Sequence, residues 1–275
     1  LIEVIRLMTP RMVGIAAVQL NFVVNTVLAA GLSTGSLTAL NYGWIIMLLP
    51  QGIIAQSVAT ALFPTLSALA AENKREEMRQ IFGTTLQSML FLTMPATVGL
   101  IMWGEPIVRL LLQRGEFTAE STQATVWALQ FFALGLISHA ILEITTRAFY
   151  ALRNTRTPVM IAVMAMAINM GLSLLFMRLF AWLGYAPHGG LALANSMAVT
   201  VELVILLKLL QPEMGGVVPS GFGVSAAKMV LATVGMGLVL LFMPNQGNVM
   251  AVMGIAIGGV VYLGLAYALG LRWRG

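Results

Sequence analysis

The stretch MVGIAAVQLNFVVNTVLAAGLSTGSLTALNYGWIIMLLPQGIIAQSVATALFPTLSALAA, residues 12–71, decides the fold class. It runs for 60 residues without one Asp, Glu, Lys or Arg. A bilayer core of about 30 Å takes about 20 helical residues, so this run is long enough to cross twice. Gly31-Leu32-Ser33-Thr34-Gly35-Ser36 supplies a turn near its middle. The rest of the chain repeats the pattern. Charge-free segments 80–104, 121–142, 157–177 and 179–201 each suit one span. The run 229–271 suits two, divided at Pro244-Asn245-Gln246-Gly247-Asn248. The expectation is an all-α polytopic membrane protein with eight transmembrane helices. They fall near 12–30, 37–63, 81–103, 124–147, 159–182, 189–208, 225–243 and 249–270. The second runs on through Pro64 toward Ala71. Pro50 and Pro64 are its expected hinge points, since each removes a backbone donor and crowds the preceding turn.

Composition agrees. Of the 275 residues 59% are apolar and 9% charged, with mean hydropathy +0.91; a soluble domain carries about 25% charge. Long apolar runs exclude a disordered chain. There is no cysteine, which removes disulfide scaffolds, Cys-ligated metals and Cys nucleophiles. All ten acids are Glu. The net charge of +5 reads as loops facing the cytoplasm, not as a nucleic-acid surface. With the N-terminus inside, only Arg109, Arg114 and Arg178 of the 15 Lys and Arg lie outside, and both chain ends are cytoplasmic. The opening LIEVIRLMTP reads as an amphipathic lead-in, as in a chain cut in its middle.

No enzyme constellation is present. His139 and His188 have no second ligand at metal spacing, and neither GxSxG nor HExxH occurs. No cofactor is expected. Polar residues inside spans are the functional candidates, because hydrocarbon penalises each one that is unsatisfied. Asn21 and Asn25 share a face at i, i+4, as do Asn169 and Ser173; Asn195, Ser196 and Glu202 lie in the sixth span. One reading is helix–helix hydrogen bonding. The other is a transport site, or a weak sodium site, lined by Asn25, Asn169, Ser173 and Asn195. Glu143 and Arg147 are spaced for an i, i+4 ion pair of structural role, with His139 one turn earlier. Residues 104–115 read as a short amphipathic helix on the outer face. Gly254 and Gly258 permit close helix approach.

Four stretches then carry a resemblance. The first is Arg147-Ala148-Phe149-Tyr150-Ala151-Leu152-Arg153-Asn154-Thr155-Arg156-Thr157-Pro158. The second is Leu49-Pro50-Gln51-Gly52 with Ala61-Leu62-Phe63-Pro64-Thr65-Leu66-Ser67. The third is Gln113-Arg114-Gly115-Glu116-Phe117-Thr118, and the fourth His188-Gly189-Gly190-Leu191-Ala192-Leu193-Ala194. In this order they resemble the lipid II flippase (MurJ/MviN) family of the multidrug/oligosaccharidyl-lipid/polysaccharide exporter superfamily. Arg147, Phe149, Tyr150, Thr155, Thr157 and Pro158 match its signature.

The resemblance implies spans seven to fourteen of a fourteen-helix, two-lobe flippase in the bacterial inner membrane. Residues 1–210 would be the C-terminal six-helix lobe, and 211–275 two extra helices beside a lipid-tail groove. Its substrate would be the undecaprenyl-diphosphate-linked peptidoglycan precursor, moved from the inner to the outer leaflet by alternating access. Its partners would be that lipid-linked precursor, the phospholipid bilayer and an N-terminal lobe absent from this sequence. Two departures stand out. Trp44-Ile45 occupies the place of a frequent Asp-Arg pair, and Asn154 that of the signature Asp. Some relatives hold sodium with Asp in this lobe; with no Asp, sodium coupling is not expected. The alternatives are a drug/cation antiporter or another polysaccharide-lipid exporter of the superfamily, and a non-transporting lipid-binding scaffold.

Overall fold

The computed structural model describes residues 23–24, 26–219, 221–244 and 247–271. The first expected span lies mostly outside them; its described end is helical to Ala30. Seven long apolar helices follow: α1 Ser36–Ala71, α2 Arg75–Leu112, α3 Ala119–Ala151, α4 Arg156–Trp182, α5 His188–Met214, α6 Phe222–Phe242 and α7 Asn248–Ala268. Every expected span after the first is therefore one helix. No strand occurs among the described residues.

One expectation is corrected. Residues 104–112 do not form a separate surface helix; they are the last turns of α2, which has 38 residues. At 1.5 Å per residue α2 measures about 57 Å, well beyond the bilayer core. Glu105 and Arg109 keep it helical there by pairing at i, i+4. Pro106 sits inside this segment without ending it.

Short, chemically specified turns join the helices. At Gln113–Thr118 the chain turns through Gly115 at φ 58°, and Thr118 caps α3 by accepting from Ser121 N at 3.3 Å. At the other end of α3, Arg153 adopts φ 59°. Asn154 Oδ1 then accepts from Thr157 N at 3.2 Å, satisfying an open donor at the start of α4. Pro158 falls in that first turn, where a missing N–H costs little.

The core lies between α1, α2, α3 and α5. Toward the Arg114 end it is built from Met47, Leu129, Phe132 and Leu136. Toward the Arg153 end it is built from Met78, Phe82, Phe149 and Leu206. Phe149 of the signature is fully buried there. α4 packs on α5 through His188-Gly189-Gly190. A Cβ on Gly190 would stand 2.6 Å from the Phe176 backbone, and the Trp127 ring covers Gly189. α6 and α7 pack on each other and, among the described helices, otherwise only on α2. Their outward faces, with Leu231, Phe242, Val260 and Tyr267, are exposed and apolar, as lipid-facing surfaces are.

Candidate functional site

Pro50 changes α1. It has no N–H to give Ile46, and Gln51 N instead bonds Leu48 O, three residues back. The helix then runs as a π-helix over Gln51–Gln56 before resuming as α-helix at Ser57. Such single π turns insert one residue and mark functional positions often. Pro64, by contrast, lies within regular α-helix. The π turn buries Gln51 and leaves its Oε1 without a hydrogen-bond partner among the described residues.

The same turn aims Gln56 at α3. Its Nε2 donates to Glu143 Oε1 at 3.4 Å. Glu143 Oε2 in turn pairs with Arg147, whose Nη1 also donates to the Glu143 carbonyl oxygen at 3.1 Å. The two side chains are 25% and 22% exposed, so the pair is only partly screened by its surroundings. One turn earlier, His139 Nε2 donates to Asn195 Oδ1 on α5 at 3.2 Å, and Trp44 meets the His139 ring edge-on at 5.4 Å. Ser138 and Thr200 bond at 2.9 Å beside them. Trp44, one of the two departures from the resemblance, thus packs its ring against His139 and Phe132.

The remaining candidates are distributed differently. Asn169 and Ser173 are both buried on α4, and Ser173 Oγ donates to Asn169 Oδ1 at 3.3 Å. No hydrogen bond links Asn195 to either of them among the described residues; its partner is His139. Asn21 and Asn25 lie outside the described residues. Among the described residues there are therefore two polar groupings, one that includes Asn169 and Ser173 of α4 and one running along α1, α3 and α5. Among the described residues no three His or Glu side chains gather as metal ligands.

Tyr150 is 39% exposed beyond Arg147, whereas Thr155, Thr157 and Pro158 build the turn into α4. Asn154 has a second role: its Nδ2 donates to Glu213 Oε1 at 3.2 Å at the end of α5. Arg75 Nη1 donates to Glu213 O at 2.6 Å, so α2, the α3–α4 turn and α5 meet there. In the neighbouring α1–α2 turn, Glu72 lies 2.8 Å from the Lys74 ammonium and holds it above its ordinary pKa. Sequence reasoning missed Gln51, Gln56 and this joint. Gln51 follows directly on Pro50 and Gln56 closes the turn that it begins, so that proline was the available signal.

Known proteins share this fold. The family model described as lipid II flippase MurJ matches residues 1–261. A probable lipid II flippase MurJ of Bdellovibrio bacteriovorus is 30% identical over 275 residues, covering 97% of this chain and 51% of its own. A solved lipid II flippase MurJ in an inward closed conformation superposes with TM-score 0.82 at 29% identity, covering 98% of this chain and 55% of that one. An outward-facing MATE-family multidrug resistance transporter of the MOP superfamily shares the fold, with TM-score 0.59 at 16% identity over 97% of this chain and 65% of its own. The chain spans about half the length of the curated relative it matches. With the family model matched over residues 1–261 and the fold shared along nearly the whole chain, the chain belongs to the lipid II flippase MurJ family.

Proposed function

We propose that this chain forms the C-terminal lobe and last two helices of a transporter that flips the undecaprenyl-diphosphate-linked peptidoglycan precursor across the bacterial inner membrane. The match to the family over residues 1–261 carries the reading. The difficulty of the task is physical: a diphosphate and sugars must pass hydrocarbon, which penalises each unpaired polar group by several kcal/mol. A polar wall is needed while the prenyl tail stays in lipid. Gln56 and the His139–Asn195 pair supply polar side chains on α1, α3 and α5, with the Glu143–Arg147 ion pair holding Gln56 in place. The apolar outer face of α6 and α7 suits the tail. An N-terminal lobe would close the opposite side, and rocking of the two lobes would alternate access. No bond of the substrate is made or broken in this scheme, and both chain ends lie in the cytoplasm.

The test is replacement. Cells depleted of their lipid II flippase receive this chain together with the N-terminal lobe of the Bdellovibrio relative. Transport is read as the fraction of lipid-linked precursor open to a membrane-impermeant hydrolase. Restored exposure and growth are expected. Normal membrane abundance of both halves without any exposure would sink the reading.

Within this scheme Glu143–Arg147 is a structural pair. Arg147→Ala strands the Glu143 carboxylate in a weakly hydrated place and is expected to cost about 2 kcal/mol of stability. Membrane abundance falls, and transport falls in proportion. Full abundance with transport abolished would instead give Arg147 a direct role.

A further inference from the structure

The attachment of α6 and α7 to α2 is narrow, since these two helices touch no other described helix. Two hydrogen bonds set the place of α7. Trp103 Nε1 donates to Ala251 O at 3.1 Å, and its ring lies over Gly254, where no side chain would fit. Further along, the Tyr262 hydroxyl donates to Phe91 O at 2.6 Å, and the two rings meet at 5.2 Å. Tyr262 is 3% exposed.

The acceptor chosen by Tyr262 is unusual. In an α-helix, Phe91 O would receive the N–H of residue 95. Residue 95 is proline, which has none. The chain thus opens an acceptor inside α2 and fills it with a hydroxyl from 171 residues away. Pro50, Pro64, Pro106 and Pro212 also lie inside helices. The carbonyls they open, on Ile46, Thr60, Met102 and Lys208, receive no side-chain donor among the described residues, so the pairing at Pro95 is not a general feature of these prolines. Geometry makes it specific: turning α7 by one residue, about 100°, takes the hydroxyl away from α2.

We propose that Pro95 and Tyr262 form a keyed joint, with Tyr262 a positioning residue that fixes the last helix pair on α2 at one rotation and one depth. The pair then moves with α2 as a single body. Under the transport reading, this carries the tail-side wall along with the lobe. The joint does not depend on that reading; its effect on transport does.

A double-mutant cycle in the full chain tests the joint. Tyr262→Phe removes only the hydroxyl, and Pro95→Ala returns the missing N–H to Phe91 O. Tyr262→Phe is expected to lower Tm in detergent by about 3 °C in the native background. In the Pro95→Ala background the drop shrinks to less than half. Equal drops in both backgrounds overturn the proposal, as does no drop in the native one.

A second measurement needs no proline variant. The dipeptide Phe-Leu occurs once, at residues 91–92. Protein labelled with carbonyl-13C phenylalanine and 15N leucine therefore reports the Phe91 carbonyl alone by NMR. Its carbon signal should move upfield in Tyr262→Phe, and an unmoved signal overturns the joint. In the replacement assay, Tyr262→Phe should lose transport and stay without it when Pro95→Ala is added, because that change refills the Phe91 carbonyl without tying α7 to α2; recovery in the double variant would overturn the positioning role. Unchanged transport with the joint's Tm and NMR signatures present would overturn the positioning role. Failure of the unmutated chain to transport would count against the transport reading, while Tm and NMR decide the joint.

Discussion

At the scale of single residues, the motifs are explained by contacts more than by chemistry. Gly190 is small because α5 lies against the Phe176 backbone, which cannot retreat. Gly190→Ala is expected to cost about 3 kcal/mol by overpacking. The check is the detergent Tm, with Gly171→Ala, which meets nothing within 4 Å, as the control. Asn154 also has a readable role. Its oxygen caps α4 and its amide donates to the Glu213 carboxylate. An Asp there keeps the cap but faces Glu213 with a like charge. Asn154→Asp should therefore destabilise by about 1 kcal/mol, and the loss should vanish in an Asn154→Asp, Glu213→Gln double variant. A persistent loss would show that the amide's contact with Glu213 is not what favours Asn.

At the scale of elements, the π turn is the least regular part of the lobe. It holds one more residue than an α-helix of the same rise. Deleting Ile53, whose side chain is 75% exposed, removes that extra residue while leaving both flanking α-helical registers in place. The deletion should keep membrane abundance within about twofold of native. Deleting Leu134, 50% exposed on regular α3, would rotate everything beyond it and should abolish accumulation. Similar losses from both deletions would argue that the π turn is packed too tightly to be a tolerated insertion. The spans themselves were legible because hydrocarbon excludes charge, so charge-free runs report depth. Hydropathy reports nothing about rotation. That is why the contact of Gln56 with Glu143 was not foreseen, nor that of Tyr262 with Phe91. It also explains the misreading of residues 104–112. Arg109, Arg114 and Glu105 within 104–115 suggested a surface segment, but α2 continues past the bilayer, where charge costs nothing.

At the scale of the whole molecule, the described residues form a four-helix core of α1, α2, α3 and α5, with α4 added on one side and the α6–α7 pair on another. Its polar groupings contain oxygen donors but no described cluster of carboxylates. Asn169 and Ser173 already bond each other, so transport should proceed equally in sodium and choline buffers. A sodium-driven gain that disappears in Asn169→Ala would overturn that expectation. Topology decides what either lobe can do, and here the sequence makes the measurement direct. The native chain has no cysteine, so a single introduced thiol is the only one present. Lys74 sits in the exposed α1–α2 turn and Arg114 in the exposed α2–α3 turn, at opposite ends of α2. The excess of Lys and Arg at the Lys74 end predicts that this end faces the cytoplasm. In intact cells Arg114→Cys should react with a membrane-impermeant maleimide, and Lys74→Cys only after permeabilisation. The reverse pattern would invert the lobe. A head group would then have to enter at the Arg114 end to travel outward, and flipping from the inner leaflet could not use the polar face on α1 and α3 as described.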